Sequence, residues 1–252
     1  HVVRLVEAFE STKGHEGGPR SENDAPFSVA NRGWGMPCLV LEYGDSSLGE
    51  FIGRGLLPPT ERKAVFEAVL HVVLAIHARG LAHCALQPDS FRLYDGTSWR
   101  LVNLESCTPF GEPTPRKCPV CFAPPEVVRH LRAPKTAASA AAIDVWALGA
   151  LLWQLYTQQP LFTNENEATT LLGSHAQLEP PIGGFDDPQA YHLLLKMLQK
   201  KPAERIEAAL LLKHSYLAGG VDTVEMEASF GPMQKGHLFL RSLLNQMRQP
   251  AR

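Results

Sequence analysis

The stretch Leu81-Ala82-His83-Cys84-Ala85-Leu86-Gln87-Pro88-Asp89-Ser90-Phe91 decides the fold. It lies between two elements that their own residues define. Upstream, Pro58-Pro59-Thr60 opens a helix with Thr60 as its expected cap and Glu61 in the positive first turn. Apolar side chains recur in it at Val65, Phe66, Val69, Val73 and Ile76, and Gly80 is read as its left-handed stop. Downstream, 91–94 and 99–102 are short strand patterns joined by Asp95-Gly96, a two-residue hairpin signal. The quoted stretch is therefore a loop that follows a capped helix and enters a strand.

Farther out, 1–10 alternates enough to form a strand and 38–43 is a short apolar one. The two are expected to pair across 11–36, which is rich in Gly, Ser, Asn and Pro and reads as a long surface loop. A short helix is expected over 47–52, and 109–125 reads as Pro-rich and irregular. Between 136 and 157 Asp144 is the only charged residue, and Ala, Leu and Trp dominate. That run is barely long enough to span a bilayer, carries an acid near its middle and lacks aromatic or basic flanks, so it reads as a helix buried all round. Further helices are expected over 164–172, 188–199 and 203–217, and an amphipathic one over 234–249 beyond the Gly219-Gly220 break. Strands come first and helices after, an α+β order.

Composition narrows the function. The 252 residues carry 24 Lys and Arg against 26 Asp and Glu, which excludes a nucleic-acid binder driven by bulk charge. Cys38, Cys84, Cys107, Cys118 and Cys121 are too few and odd in number for a disulfide framework, so free thiols in a reducing compartment are expected. No secretory leader opens the chain, and its first residue, His1, suggests a piece of a longer polypeptide.

The quoted loop resembles the catalytic loop of eukaryotic protein kinases, H-R-D-L-x-x-x-N. Further segments resemble that family in order. Arg100 to Glu105 stands where a strand leads into D-F-G, and Pro124-Pro125-Glu126 where A-P-E closes the activation segment. Asp144-Val145-Trp146-Ala147-Leu148-Gly149 is similar to the D-V-W-S-L-G start of the buried large-lobe helix, and Lys201 to Ile206 to D-P-x-x-R-x-T. The resemblance runs over about 1–217. It implies a protein-kinase-like α+β fold: a mainly helical large lobe at 44–217, only the last small-lobe strands at 1–43 with the inserted loop 11–36, and a C-terminal extension at 218–252. Leu41 would be the gatekeeper, with Glu42, Tyr43 and Gly44 as hinge.

Against that family pattern the chemical positions differ. Phosphoryl transfer needs a carboxylate to receive the hydroxyl proton and oxygen ligands for magnesium. Ala85 stands at the base position, Ser90 at the metal-binding Asn, Asn103 at the metal-binding Asp and Gln87 at the loop Lys. A neutral amide holds magnesium poorly, and loss of a general base costs about 10²–10⁴ in rate. His83 is kept, and in the family it packs. Cys84 replaces the Arg that reads activation-loop phosphate, which argues against a phosphoswitch at Ser106, Thr108 or Thr114. The resemblance gives Glu126 and Arg205 a buried ion pair, and gives Asp144 the task of accepting N–H groups from the catalytic loop. The chain has no G-x-G-x-x-G and no V-A-I-K lysine, so truncation of the small lobe is expected.

Other readings are weaker. Cys118-Pro119-Val120-Cys121 beside Cys107 invites zinc but lacks a second pair, and no metal site is expected. Glu105 and Asp89 are candidate surrogate bases. Helix 234–249 is a docking element for a partner or for its own large lobe, and Trp34 is a lone candidate anchor in the long loop. The expectation is a catalytically inactive, kinase-like (pseudokinase) domain, not an enzyme. It would need no cofactor, occupy the cytoplasm and serve as a scaffold or allosteric regulator through protein partners, with no nucleic acid and no membrane span. The alternative is a residual or atypical Ser/Thr kinase, or an ATP sensor whose N-terminal lobe lies elsewhere.

Overall fold

The computed structural model describes residues 2–10, 37–116, 118–131, 137–173, 178, 180 and 183–219. The chain divides into two compact units, Val3–Tyr43 and the remainder. In the smaller, β1 (Leu5–Glu10) and β2 (Pro37–Leu41) pair antiparallel, with Leu5 opposite Leu41 and Glu10 opposite Pro37. The strand pairing read from the sequence is thus present. Loop 11–36, with Trp34, and helix 234–249 lie outside the described residues.

The larger unit opens with β3 (Ser46–Ser47) and α1 (Leu48–Ile52). Ser47 and Glu50 form a reciprocal capping box at the start of α1, which satisfies two otherwise orphaned donors. The long α2 (Pro59–His77) begins one residue before the expected cap. Thr60 lies inside the helix and Pro58 is the N-cap, because Pro59 in the first turn has no N–H to satisfy and a fixed helical φ. Gly80, at φ +74°, turns the chain after the helix end. Next come β4 (Leu81–Ala82), β5 (Phe91–Tyr94) and β6 (Ser98–Leu101). The β5–β6 hairpin closes Tyr94 against Ser98 over a three-residue loop, in which Asp95 and Gly96 both take positive φ and Thr97 N–H donates to Tyr94 O at 3.1 Å. β3 adds to this hairpin in the order β3-β5-β6, and β4 pairs with β7 (Thr108–Pro109).

The helical body follows as α3 (Pro125–His130), α4 (Ala141–Thr157), α5 (Glu165–Gly173) and α6 (Pro188–Met197). Nearly every residue of α4 from Ile143 to Tyr156 is buried. Its Ala- and Leu-rich run is therefore explained by packing on all sides, and no helix among the described residues is long and apolar enough to cross a membrane. Gly149 lets α4 approach the end of α6 closely, since a Cβ there would sit 2.9 Å from Leu198 Cδ2 and 3.0 Å from Met197 Cβ. Trp146, Phe66, Phe91, Phe162 and Leu148 fill the core between these elements.

The single helix expected over 203–217 does not form. Two 3-10 turns, Pro202–Glu204 and Ala208–Lys213, precede a short α7 (Ser215–Ala218). Arg205 is extended, at φ −75° and ψ 141°, because its side chain is fully engaged elsewhere in the fold and Ile206 N–H donates to Lys196 O at 3.0 Å. Tertiary hydrogen bonds outweigh a helical pattern here.

Candidate functional site

The site is built around Asp144, fourth residue of α4 and wholly buried. Its Oδ2 accepts from His83 N–H at 2.7 Å and from His77 Nε2 at 2.8 Å, and its Oδ1 accepts from Cys84 N–H at 2.9 Å. A carboxylate only accepts, so Nε2 of His77 carries the proton. Three charge-assisted bonds hold the end of α2 and the following loop to the start of α4. They also support Cys84 in the left-handed region, at φ 63°, where a side chain is strained.

His83 packs completely. Its Nε2 donates to Val102 O at 3.3 Å, and its Nδ1 accepts from Ala85 N–H at 3.4 Å. Burial holds the imidazole below its usual pKa, with Asp144 and Glu105 pulling less strongly the other way. Ala85 brings only a methyl group. Ser90 is buried and turned onto its own loop: Oγ accepts from Gln87 N–H at 3.2 Å and donates to Ala85 O at 3.4 Å. Asp89 Oδ1 accepts from Ser47 Oγ at 2.7 Å, so this carboxylate is tied to the head of α1. Asn103, directly after Val102, sits at φ 58°, and its Nδ2 donates to Asp89 O at 3.5 Å. Glu105 is exposed in the 3-10 turn Leu104–Ser106.

The structure thus gathers His83, Cys84, Ala85, Gln87, Ser90, Asn103 and Asp144. Glu126 and Arg205 meet deeper in the same unit. Arg205 donates from Nη1 to Glu126 Oε1 at 2.8 Å and from Nη2 to Oε2 at 3.1 Å, a bidentate fork. Its remaining donors reach Ala142 O at 2.5 Å and Gln199 O at 3.0 Å. In the smaller unit Leu41 and Tyr43 are exposed and Glu42 N–H donates to Arg4 O at 3.0 Å. Gly44 belongs to the larger unit, where a Cβ would lie 3.0 Å from both Arg92 Cβ and Tyr94 Cζ.

Cys84, Cys107, Cys118 and Cys121 are free thiols whose surroundings favour the protonated form. Burial pushes Cys84 up to about 12 and Cys107 up to about 11, and raises Cys118 and Cys121 as well. Among the described residues no group of three or more His, Cys, Asp or Glu is placed to hold a metal ion. Ser106 and Thr114 are buried, and Thr108 donates to Ser106 O at 3.0 Å. His77 carried no weight in the sequence reading. Its only signal was a histidine in the last turn of a helix, six residues before His83.

A short sheet beside a helical body, with a loop clamped from beneath by an aspartate on a buried helix, is the arrangement of a protein-kinase-like large lobe. A family model described as "Protein kinase domain" matches residues 2–217, and the chain belongs to that family. It is similar to human serine/threonine-protein kinase PAK 4, 27% identical over 188 residues, which cover 71% of this chain and 31% of that protein. It is also similar to zebrafish (Danio rerio) dual specificity protein kinase Ttk, 29% identical over 194 residues covering 71% of this chain and 19% of the relative. Drosophila virilis serine/threonine-protein kinase PLK4 is 26% identical over 192 residues, covering 72% and 24%. The chain spans about a third or less of the length of these relatives.

These findings correct one expectation. The sequence reading concluded that the chain is not an enzyme. A kinase-domain match over most of the chain, and relatives that are kinases, point instead to a protein kinase. The substitutions at Ala85, Ser90 and Asn103 describe how its cleft is furnished and do not by themselves remove it from that class.

Proposed function

We propose that this is an atypical member of the Ser/Thr protein kinase family that works chiefly through protein contact, as a scaffold or allosteric regulator, with slow phosphotransfer. The observation that carries the reading is the contrast within one loop. Its underside is fully bonded to Asp144, while on the other side Ala85 offers no proton acceptor and the Ser90 hydroxyl is spent on the loop backbone. Such a loop is rigid, and it leaves the neutral amide of Asn103 as an oxygen donor for a metal. Rigidity suits a contact surface, whereas the missing base lowers the rate by about 10²–10⁴.

The test pairs phosphotransfer from magnesium-ATP to a degenerate Ser/Thr peptide mixture with partner affinity. Both are measured on the wild type and on Ala85→Asp/Asn103→Asp. Expected are turnover well below the ordinary kinase range of about 1–100 s⁻¹, a rise in the double variant, and unchanged partner affinity. Wild-type turnover within the ordinary range would overturn the reading. Loss of the partner on refilling the cleft would make the cleft itself the recognition surface. A second reading is a working Ser/Thr kinase, the activity that the relatives' names carry, or an ATP sensor. A magnesium-dependent stabilisation by ATP would advance it.

A further inference from the structure

A pocket of about 590 Å³ opens between the end of α2, the start of α4 and the segment 202–209. Leu74, Ile206 and the exposed Phe110 give it apolar walls, and the small side chains of Ala140, Ala141 and Ala142 leave the space. From inside it offers an occupant almost no polar partner. His77 lines it, but its Nε2–H is committed to Asp144, and its Nδ1 is buried, without a partner among the described residues and out of reach of the opening. Of the charged residues in the lining, Arg205 is neutralised by Glu126, and Glu207 stands exposed at the rim. Leu210, next to the lining residue Ala209, is exposed as well. An apolar hollow edged by exposed Phe110 and Leu210 and by one carboxylate fits the apolar face of a helix with a basic flank.

The chain itself carries such a segment. Residues 234–249 lie outside the described residues, and their sequence sets Leu240, Leu243, Leu244 and Met247 at i, i+3, i+4 and i+7 of the helix expected there. At about 3.6 residues per turn, Arg241 and Arg248 fall together on one flank of that stripe. The connecting chain is long enough. The described residues end at Gly219, just after α7, whose Tyr216 ring lies 6.3 Å from that of Phe66 in α2. Phe66 precedes His77 by about three turns, or roughly 16 Å along the helix. The stretch 220–233 reaches about 45 Å when extended.

We propose that segment 234–249 is the intramolecular occupant of this pocket, with the stripe from Leu240 to Met247 filling the hollow and Arg241 and Arg248 facing Glu207. Tethering supplies an effective concentration of about 1 mM, so an intrinsic dissociation constant of about 10 µM keeps the segment seated roughly a hundred to one. Seated there, it braces the end of α2 and the start of α4, which hold the catalytic loop through Asp144. The inference is independent of whether the chain turns over ATP.

Amide exchange read by mass spectrometry on the whole chain tests this. In the wild type, exchange across 234–249 is expected to be slowed about tenfold or more, and equally at every protein concentration, as an intramolecular contact requires. Leu243→Ala/Leu244→Ala keeps the helix propensity and removes two anchors. It is expected to erase that protection and to speed exchange at Ile206 to Leu210 as well. Glu207→Arg, at an exposed position, is expected to weaken the protection by up to about fivefold, and Arg241→Glu/Arg248→Glu on that background to restore it. No protection of 234–249 in the wild type overturns the seating. Protection that rises with concentration overturns it too, since the occupant is then a second copy. Exchange at 206–210 that ignores the leucine variant places the segment elsewhere and overturns the pocket as its seat. Protection indifferent to Glu207→Arg overturns the charge pairing.

Discussion

Replacing Asp144 by Asn keeps the shape of the side chain and changes what it accepts. Three donors converge on the carboxylate: His83 N–H, Cys84 N–H and His77 Nε2–H. A carboxamide has one accepting oxygen, and its NH2 must face the remaining donors. If the oxygen takes the Oδ2 place, the NH2 opposes Cys84 N–H. If it takes the Oδ1 place, the NH2 opposes His83 N–H, while His77 adapts by moving its proton. Either way one buried backbone N–H is orphaned, at about 1–3 kcal/mol, and the charge assistance of the others is lost. The sum is about 2–4 kcal/mol, which for a domain of this size lowers the melting temperature by roughly 5–15 °C. Calorimetry measures the shift, and amide exchange at His83 and Cys84 is expected to accelerate more than exchange in α6. A variant melting within about 1 °C of the wild type would refute the view that Asp144 clamps the loop.

Arg205→Met strips acceptors of their donor at Glu126, Ala142 O and Gln199 O, and is expected to cost about 3–6 kcal/mol in urea unfolding. Glu126→Gln keeps one acceptor and is expected to cost less; the reverse order would contradict the assignment. His83 is held below its usual pKa when folded, so the unfolded chain binds the extra proton. Its contribution is therefore complete above the ordinary value of 6.5 and is lost as pH falls from there through the folded pKa. The urea midpoint of His83→Gln is expected to fall less than that of the wild type between pH 7.5 and the acid side, and parallel curves would count against it. In Gly149→Ala a gain of about 1 kcal/mol in helix propensity opposes about 1–3 kcal/mol of overpacking against Leu198 and Met197. Net destabilisation is expected; a higher melting temperature would show that α6 yields.

Much of the architecture was legible because it rests on local rules. Asp95-Gly96 announces its hairpin since both positions take positive φ, and the largely apolar character of α4 follows from burial on every side. The break of the 203–217 helix was not legible. It is set by Arg205 reaching Glu126, 79 residues away, a pair that the family resemblance supplies but whose effect on the backbone at 205 no local pattern shows. At the site, the identities of Ala85, Ser90 and Asn103 could be read directly. The inward turn of the Ser90 hydroxyl and the unpaired Nδ1 of His77 depend on three-dimensional placement that residue types alone do not determine.

Ser90 also constrains how this loop can change. Its hydroxyl bridges Gln87 N–H and Ala85 O from a position with almost no exposed surface. A larger carboxamide there would break both bonds and crowd its neighbours, at about 1–3 kcal/mol for the crowding alone. Ala85 has no side-chain bond to lose, and Asn103 only the long donation of its Nδ2 to Asp89 O at 3.5 Å. The three positions are thus unequal in reversibility: 85 and 103 can be exchanged singly, while 90 can follow only after the backbone around Gln87 has found another acceptor. Position 90 acts as a ratchet, and the order in which a metal-binding cleft could be regained, by selection or by design, is written into one hydroxyl group.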